Sequence, residues 1–223
     1  PQLFPLSRVW FPARGEVLLG GVDPDKFIGP LALMPVVGEG HWMLHLLAVY
    51  VGGASRRQAG LHVILDTGTN GMYMPAKARE DMITLIRFGL QKPIDIRLNG
   101  SEYEIDCADR KYLPTIELSF EGVDGKVSTE VPQENYVEEI QSLSTTSCVL
   151  LFLENTEGFW RIGQNVIPGY YYSFDFDKKQ IGVARSISQS LDNQENQTVF
   201  AEAHSVASDK LLHDMKFIMN FIL

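Results

Sequence analysis

Short runs of β-favouring residues, each followed by a turn signal, repeat along residues 15–186. The clearest runs are 17–19, 46–51, 61–65, 116–120 and 170–176. Glycine pairs or acidic residues follow them, which is typical of strands that end in tight turns. This spacing favours a sheet or barrel-like lobe over alternating strand–helix units, because those units need a helix between successive strands. The sequence therefore predicts an all-β fold class.

Two stretches depart from this pattern. Residues 75–88 begin with proline, contain good helix formers and place apolar residues at helical spacing, so we predict a short helix there. Residues 187–198 are polar and low in apolar side chains, which is typical of a linker. Residues 199–223 follow with an apolar stripe at helical spacing. We predict an amphipathic, apolar helical tail that packs on its own domain or, alternatively, contacts a membrane.

The composition excludes one large class of partner. The 223 residues carry 19 Lys and Arg against 28 Asp and Glu, a formal net charge of −9. Nucleic-acid binding needs concentrated positive charge, so we predict no nucleic-acid partner. The two cysteines show no CxxC or His/Cys ligand spacing, so we predict no metal site, and no motif requires a cofactor.

One segment has a pattern associated with catalysis. An apolar run ends in Asp66, which is followed by Thr67, Gly68, Thr69 and Asn70. Gly68 permits a tight turn in which its N–H points at a carboxylate oxygen, and the two threonine hydroxyls are further donors. Such donors favour the charged carboxylate, which suits a general base. The triplet also occurs in plain β-turns, where Asp and Gly are both common, so these residues alone leave both interpretations open.

The surroundings of this segment resemble the C-terminal lobe of the pepsin-like aspartic endopeptidases, whose catalytic loop reads Asp-Thr-Gly-Thr-Ser. The resemblance covers residues 15–186, in order and with family-like spacing. The similar segments are 15–23, 29–31, 34–36, 41–43, 113–116, 159–163, 171–175 and 181–184. The resemblance implies a pepsin-like acid-protease lobe at 15–186, six-stranded and double-psi barrel-like, with short helices.

The resemblance further implies that Asp66 is one of two aspartates that activate a water molecule for peptide hydrolysis. Each lobe of the family supplies one aspartate, and the two share a proton because like charges so close cannot both ionise. This sequence has a single Asp-Thr-Gly and no Asp-Ser-Gly, so it implies half an active site that is inactive alone. The implied partners are a peptide or protein substrate and a first lobe, from the same precursor or a separate chain. Residues 1–14 would be the end of that lobe or an inter-lobe segment.

The same resemblance suggests roles for residues around the loop. Those that fall where the family lines substrate pockets are Met72, Tyr73, Arg161 and Ile162. The first two could equally belong to the core. Arg161 occupies a position that is normally apolar, which implies charge-dependent specificity. Asn70 stands where Ser is usual, and Gln164 stands where the family has Asp.

Cys107 and Cys148 flank a strand of the resembling lobe as its paired cysteines do, so the resemblance implies a disulfide. Two free, buried thiols are the alternative. A disulfide indicates an oxidising compartment, and the N-x-S/T sequons at Asn99 and Asn196 are then candidate glycosylation sites. We therefore predict the secretory pathway, with an extracellular or acidic vacuolar or lysosomal location.

Three functional hypotheses remain open at this point. The first is an aspartic endopeptidase represented by its second lobe. The second is a non-catalytic, pepsin-like protein that keeps a peptide-binding cleft. The third is a homodimer in which two copies of Asp66 form the pair, which ranks last because a C2 interface must be self-complementary.

Overall fold

The computed structural model describes residues 16–52, 54–141, 146–187 and 218–222. Within this part of the chain, residues 34–168 form one compact unit, and residues 16–33, 169–187 and 218–222 form another. The strands in chain order are β1 (Glu16–Leu19), β2 (Phe27–Pro35), β3 (Met43–Val51), β4 (Ala54–Asp66), β5 (Met72–Met74), β6 (Arg97–Asn99), β7 (Glu102–Ile105), β8 (Ile116–Gly122), β9 (Gly125–Val131), β10 (Val137–Gln141), β11 (Thr146–Leu150), β12 (Phe152–Glu154), β13 (Trp160–Gly163), β14 (Tyr170–Asp175), β15 (Gln180–Ser186) and β16 (Ile218–Ile222). The helices are α1 (Ala76–Gly89) and α2 (Gln133–Tyr136). The predicted all-β fold is confirmed.

A seven-stranded sheet dominates the unit formed by residues 34–168. Its strand order is β12-β5-β13-β4-β3-β8-β9, and a second sheet of the unit runs β10-β11-β7-β6. Most neighbouring strands are antiparallel, but β13 pairs in parallel with β4, and β12 with β5. The central strands supply fully buried apolar side chains such as Leu44, Val63 and Trp160. Burial on this scale fixes the register, because a slip of one residue would turn every such side chain to the other face.

Helix α1 confirms the prediction at 75–88. It buries Met82, Ile83 and Ile86, whereas Phe88 near its end is 77 % exposed. The helix also buries Arg79, whose Nε donates to the Phe152 carbonyl at 2.8 Å and whose Nη2 donates to the Ser101 carbonyl. These charge-assisted bonds attach α1 to β12 and to the β6–β7 turn. No helix in the described residues is long and apolar enough to cross a membrane.

The predicted helical tail is wrong where the structure describes it. Residues 218–222 form β16, which pairs antiparallel with both β1 and β14. A short run rich in Ile and Phe favours a strand as well as a helix, and periodicity alone does not separate the two. As a strand, the segment forms backbone hydrogen bonds with both β1 and β14. Residues 199–217, most of the 187–198 linker and residues 1–14 lie outside the described residues.

The predicted disulfide is confirmed. Cys107 and Cys148 are bonded, with their Cα atoms 5.1 Å apart. The bond joins a 3-10 turn (Cys107–Tyr112) to β11, and the Cys148 side chain is fully buried. It closes a loop of 41 positions, which removes conformational freedom from the unfolded chain.

We expect Cys107→Ala with Cys148→Ala to lower the free energy of unfolding by up to about 4 kcal/mol, the loop-entropy value for a ring of this size. Urea unfolding followed by circular dichroism measures this. Reductant should destabilise the wild type by a similar amount and leave the double variant unchanged. Equal stability of the wild type with and without reductant would contradict the assignment.

Candidate active site

Asp66 lies at the carboxyl end of β4, where the strand leaves the sheet. Its neighbour is β13, in which Gly163 is paired with Asp66 in a parallel register. The side chain is 23 % exposed, so the carboxylate is largely shielded but still reaches solvent. Apolar neighbours on β4, Val63 and Leu65, face the core and anchor the strand that presents it.

The loop after Asp66 folds around its carboxylate and carbonyl. The Gly68 N–H donates to Asp66 Oδ1 at 2.9 Å, as predicted. The Thr69 hydroxyl instead donates to the backbone carbonyl of Asp66 at 3.1 Å, and the Thr69 N–H points to the same oxygen at 3.3 Å. The prediction that this hydroxyl holds the carboxylate is therefore wrong, because the turn brings it closer to the main chain. Thr67 is exposed on the loop.

The loop is joined to the end of β13 by backbone hydrogen bonds. The Gly163 N–H donates to the Gly71 carbonyl at 2.7 Å, and the Gln164 N–H donates to the Thr69 carbonyl at 2.8 Å. The Gln164 side-chain amide also donates to Asn70 Oδ1 at 2.8 Å. The two positions at which the resemblance implies a departure from the family pattern, 70 and 164, therefore contact each other as a pair. Their contact could not be predicted from the sequence, because the two residues are 94 positions apart.

Arg161 contacts the Asp66 carboxylate directly. Its Nη1 donates to Asp66 Oδ2 at 3.0 Å, while its Nε donates to Glu157 Oε2 at 2.6 Å and its Nη2 to the other oxygen of Glu157. The hydrogen-bonded Arg161 guanidinium holds the pKa of the Glu157 carboxyl below its usual range. Glu157 first, and Asp66 second, raise the pKa of Arg161. One cation thus lies between two carboxylates, and one of them is the candidate catalytic group.

Glu157 is the site residue that the sequence interpretation missed. It precedes Arg161 by four positions. Its carboxylate accepts hydrogen bonds from Arg161 Nε and Nη2, whereas Nη1 donates to Asp66. The signal was present as an acidic residue shortly before a basic one. Its meaning depends on a turn that brings the two side chains together, and local spacing outside a helix does not predict such a turn.

The other residues predicted to contact substrate differ in how deeply they are buried. Met72 and Ile162 are at most 2 % exposed, which favours a packing role in this chain. Tyr73 is partly exposed and lines a small cavity with Asn70 and Leu151. Substrate contact by any of these side chains stays a prediction.

The two candidate glycosylation sites also differ in what the structure describes. Asn99 is exposed at the end of β6, beside the β6–β7 turn. Its side chain donates to Glu104 at 3.0 Å in an exposed contact. Asn196 lies outside the described residues. Modification of either residue stays a prediction.

Comparison with known proteins places this arrangement in a family. A family model for eukaryotic aspartyl protease matches residues 6–186, which include the Asp66 loop and β13. The chain belongs to the eukaryotic aspartyl protease family. Cathepsin D of Dictyostelium discoideum is 31 % identical over 189 residues, covering 82 % of this chain and 46 % of that protein.

Two further relatives extend the match. Cathepsin D of Homo sapiens is 31 % identical over 180 residues, covering 77 % of this chain and 40 % of that protein. Pregnancy-associated glycoprotein 2 of Bos taurus is 28 % identical over 181 residues, covering 79 % of this chain and 44 % of that protein. The chain therefore spans less than half the length of these curated relatives.

We expect Gly163→Ala to destabilise the loop, because a Cβ there would collide with the Thr69 carbonyl and lie 2.8 Å from the carbonyl carbon of Asn70. Both are backbone atoms, so the loop itself must shift, at a cost of about 1–3 kcal/mol. Urea unfolding measures the change in the free energy of unfolding.

Gly21→Ala is the matched control, because a Cβ at Gly21 would meet no atom within 4 Å. If both variants proved equally stable, the close approach of β13 to the Asp66 loop would not be a structural requirement.

Proposed function

We propose that this chain is the second-lobe half of an aspartic endopeptidase, supplying Asp66 as one of two catalytic aspartates and half of the substrate cleft. The observation that carries the proposal is the presentation of the Asp66 carboxylate. It lies at the end of a buried strand, is only 23 % exposed and accepts the Gly68 N–H on one oxygen. Family membership and the single Asp-Thr-Gly support the same conclusion.

The chemistry requires a second carboxylate opposite Asp66. In aspartic proteases two close carboxyls share one proton, so one acts as the acid while the other takes a proton from the attacking water. Asp66 has the capacity for this, because an ionised carboxylate offers about four acceptor positions and the described donors occupy only some of them. The first lobe, from the same precursor or a separate chain, is the partner that would supply the other carboxylate.

The disulfide supports a location outside the reducing cytosol. Structural disulfides persist in oxidising compartments, and the exposed sequon at Asn99 is compatible with glycosylation there. We propose the secretory pathway, with an extracellular or acidic vacuolar or lysosomal destination. Peptides or proteins are the proposed substrates.

We expect purified residues 1–223 to cleave no peptide at any pH, because one aspartate cannot share a proton with a missing partner. Adding a first lobe that carries its own Asp-Thr-Gly or Asp-Ser-Gly should produce activity on denatured globin. Asp66→Asn in that two-lobed protein should then lower kcat by at least about 10²–10⁴-fold, because it removes the general acid–base step.

Circular dichroism of the Asp66→Asn variant provides the folding control. Near-full activity of a folded Asp66→Asn protein would refute the endopeptidase proposal. Cleavage by residues 1–223 alone, abolished by Asp66→Asn, would instead favour the homodimer.

One observation favours a second candidate, a pepsin-like protein that binds peptides without cleaving them. The Arg161 guanidinium donates to Asp66 Oδ2 at 3.0 Å, an oxygen that could otherwise hold the attacking water. A cation held there by Glu157 as well would compete with the water and with a second carboxyl. The family resemblance implies an apolar residue at this position, and an apolar side chain could not make this contact.

Arg161→Leu separates the two candidates. In the two-lobed endopeptidase we expect Arg161→Leu to raise kcat on an uncharged peptide, since Asp66 Oδ2 is then free for the water. Glu157→Gln is the matched control, because it leaves the Arg161–Asp66 contact in place and should change kcat little. If calorimetry shows that the wild type and Arg161→Leu both bind the peptide and neither cleaves it, the result favours the non-catalytic peptide-binding protein over the endopeptidase.

A further inference from the structure

Two histidines and a glutamate meet on three neighbouring strands of the seven-stranded sheet. His45 on β3 is the register partner of His62 on β4, and Glu121 lies near the end of β8 on the other side of β3. The His45 side chain is 36 % exposed and that of Glu121 is 51 % exposed. His62 is half-buried. These three residues, termed the bis-histidine site below, lie apart from the contacts that hold the Asp66 carboxylate.

The two imidazoles approach each other through equivalent nitrogens. His45 Nε2 lies 3.0 Å from His62 Nε2, and the ring centroids are 4.8 Å apart. The other nitrogen of His45, Nδ1, lies 2.8 Å from Glu121 Oε2. An ionised carboxylate only accepts hydrogen bonds, so His45 Nδ1 must be the donor to Glu121. In a neutral His45 this leaves a lone pair on Nε2, and that lone pair is directed at His62.

We propose that the bis-histidine site binds a divalent transition-metal ion such as Zn²⁺ or Cu²⁺ through His45 Nε2 and His62 Nε2. This inference goes beyond the proposed function and does not depend on it. In the hydrogen-bonded pair the proton between the rings belongs to His62 Nε2. When the metal binds, that proton moves to His62 Nδ1, so both rings remain neutral and the pair loses no net proton.

The distance between the two ligand nitrogens needs little adjustment for such an ion, although both rings must turn so that their lone pairs converge on it. With metal–nitrogen bonds of 2.0–2.1 Å, two ligands of a tetrahedral ion lie about 3.3 Å apart. The observed separation of 3.0 Å is only slightly smaller. Glu121 supplies the outer carboxylate that characteristically orients a metal-binding imidazole and makes it a stronger donor.

The donor set also selects the class of ion. Imidazole nitrogens suit Zn²⁺, Cu²⁺ and Ni²⁺, whereas Mg²⁺ and Ca²⁺ prefer oxygen ligands. Within the described residues, the one group of three candidate ligands that lies close together is Cys107, Glu139 and Cys148, and its sulfurs are joined in the disulfide. The bis-histidine site therefore offers two protein ligands, and water fills the remaining positions. This makes the bound ion exchangeable.

The prediction of no metal site considered only ligand spacing along the chain. Two histidines 17 positions apart have no recognised spacing. They become neighbours only through the antiparallel register of β3 and β4.

Isothermal titration of purified residues 1–223 with Zn²⁺ tests the proposal. We expect His45→Gln and His62→Gln each to weaken Zn²⁺ binding at least tenfold, and Glu121→Gln to weaken it by about 10-fold or more through the lost outer contact. His41→Gln is the matched control, since His41 is exposed and belongs to neither strand pair, and it should leave the affinity unchanged. Mg²⁺ should show no binding at this site.

Electron paramagnetic resonance of the wild type with one equivalent of Cu²⁺ gives a second readout that needs no folded variant. We expect hyperfine coupling from two imidazole nitrogens. Zn²⁺ affinity that survives in the His45→Gln/His62→Gln double variant, or a Cu²⁺ spectrum without two coupled nitrogens, would overturn the proposal. Equal losses in His41→Gln and His62→Gln would also overturn it.

Discussion

The backbone hydrogen bonds between the Asp66 loop and the end of β13 determine where the Asp66 carboxylate, the candidate catalytic group, can lie. Gly163 and Gln164 donate to carbonyls of the loop, and the close approach of the two segments leaves no room for a side chain at Gly163. Because these bonds join backbone atoms, they hold the loop whatever conformation its side chains adopt. The backbone bonds and the close approach at Gly163 therefore hold the Asp-Thr-Gly turn, and with it the Asp66 carboxylate, in one position.

Two departures from the family pattern act on that fixed loop in different ways. Asn70 and Gln164 contact each other, so this pair joins the loop to the end of β13 through a side-chain hydrogen bond. Arg161 instead adds a positive charge at the carboxylate itself, with Glu157 as a second anchor. The first pair lies beside the carboxylate, whereas Arg161 contacts the candidate catalytic group itself. In the proposed endopeptidase, activity depends on whether Arg161 leaves Asp66 when a first lobe and a substrate are present.

The sequence predicted the features that follow from local patterns. Alternating β-rich runs and turn signals predicted the strands, and helix formers after Pro75 predicted α1. The family resemblance implied the Cys107–Cys148 bond. The sequence also predicted that the Gly68 N–H would reach the Asp66 carboxylate, since that contact spans only two positions.

The errors and omissions concern contacts made through tertiary structure. Residues 218–222 form a strand because β1 and β14 offer backbone groups that can pair with them, which no local sequence pattern records. The Thr69 hydroxyl donates to the Asp66 main-chain carbonyl rather than to the carboxylate, because the turn places the hydroxyl closer to that carbonyl. The contacts of Arg161 with Asp66, and of His45 with His62, join residues whose proximity depends on strand register.

The most direct test of the central claim is the affinity of a peptide mimic that carries a central hydroxyl in place of the attacking water. Transition-state mimics of this kind bind at least about 10²-fold more tightly than the matching substrate. We expect that difference in affinity for the two-lobed protein. Asp66→Asn should remove most of that advantage and leave substrate binding nearly unchanged. Equal affinity of the mimic for the wild type and for folded Asp66→Asn would contradict the assignment of Asp66 as a catalytic aspartate.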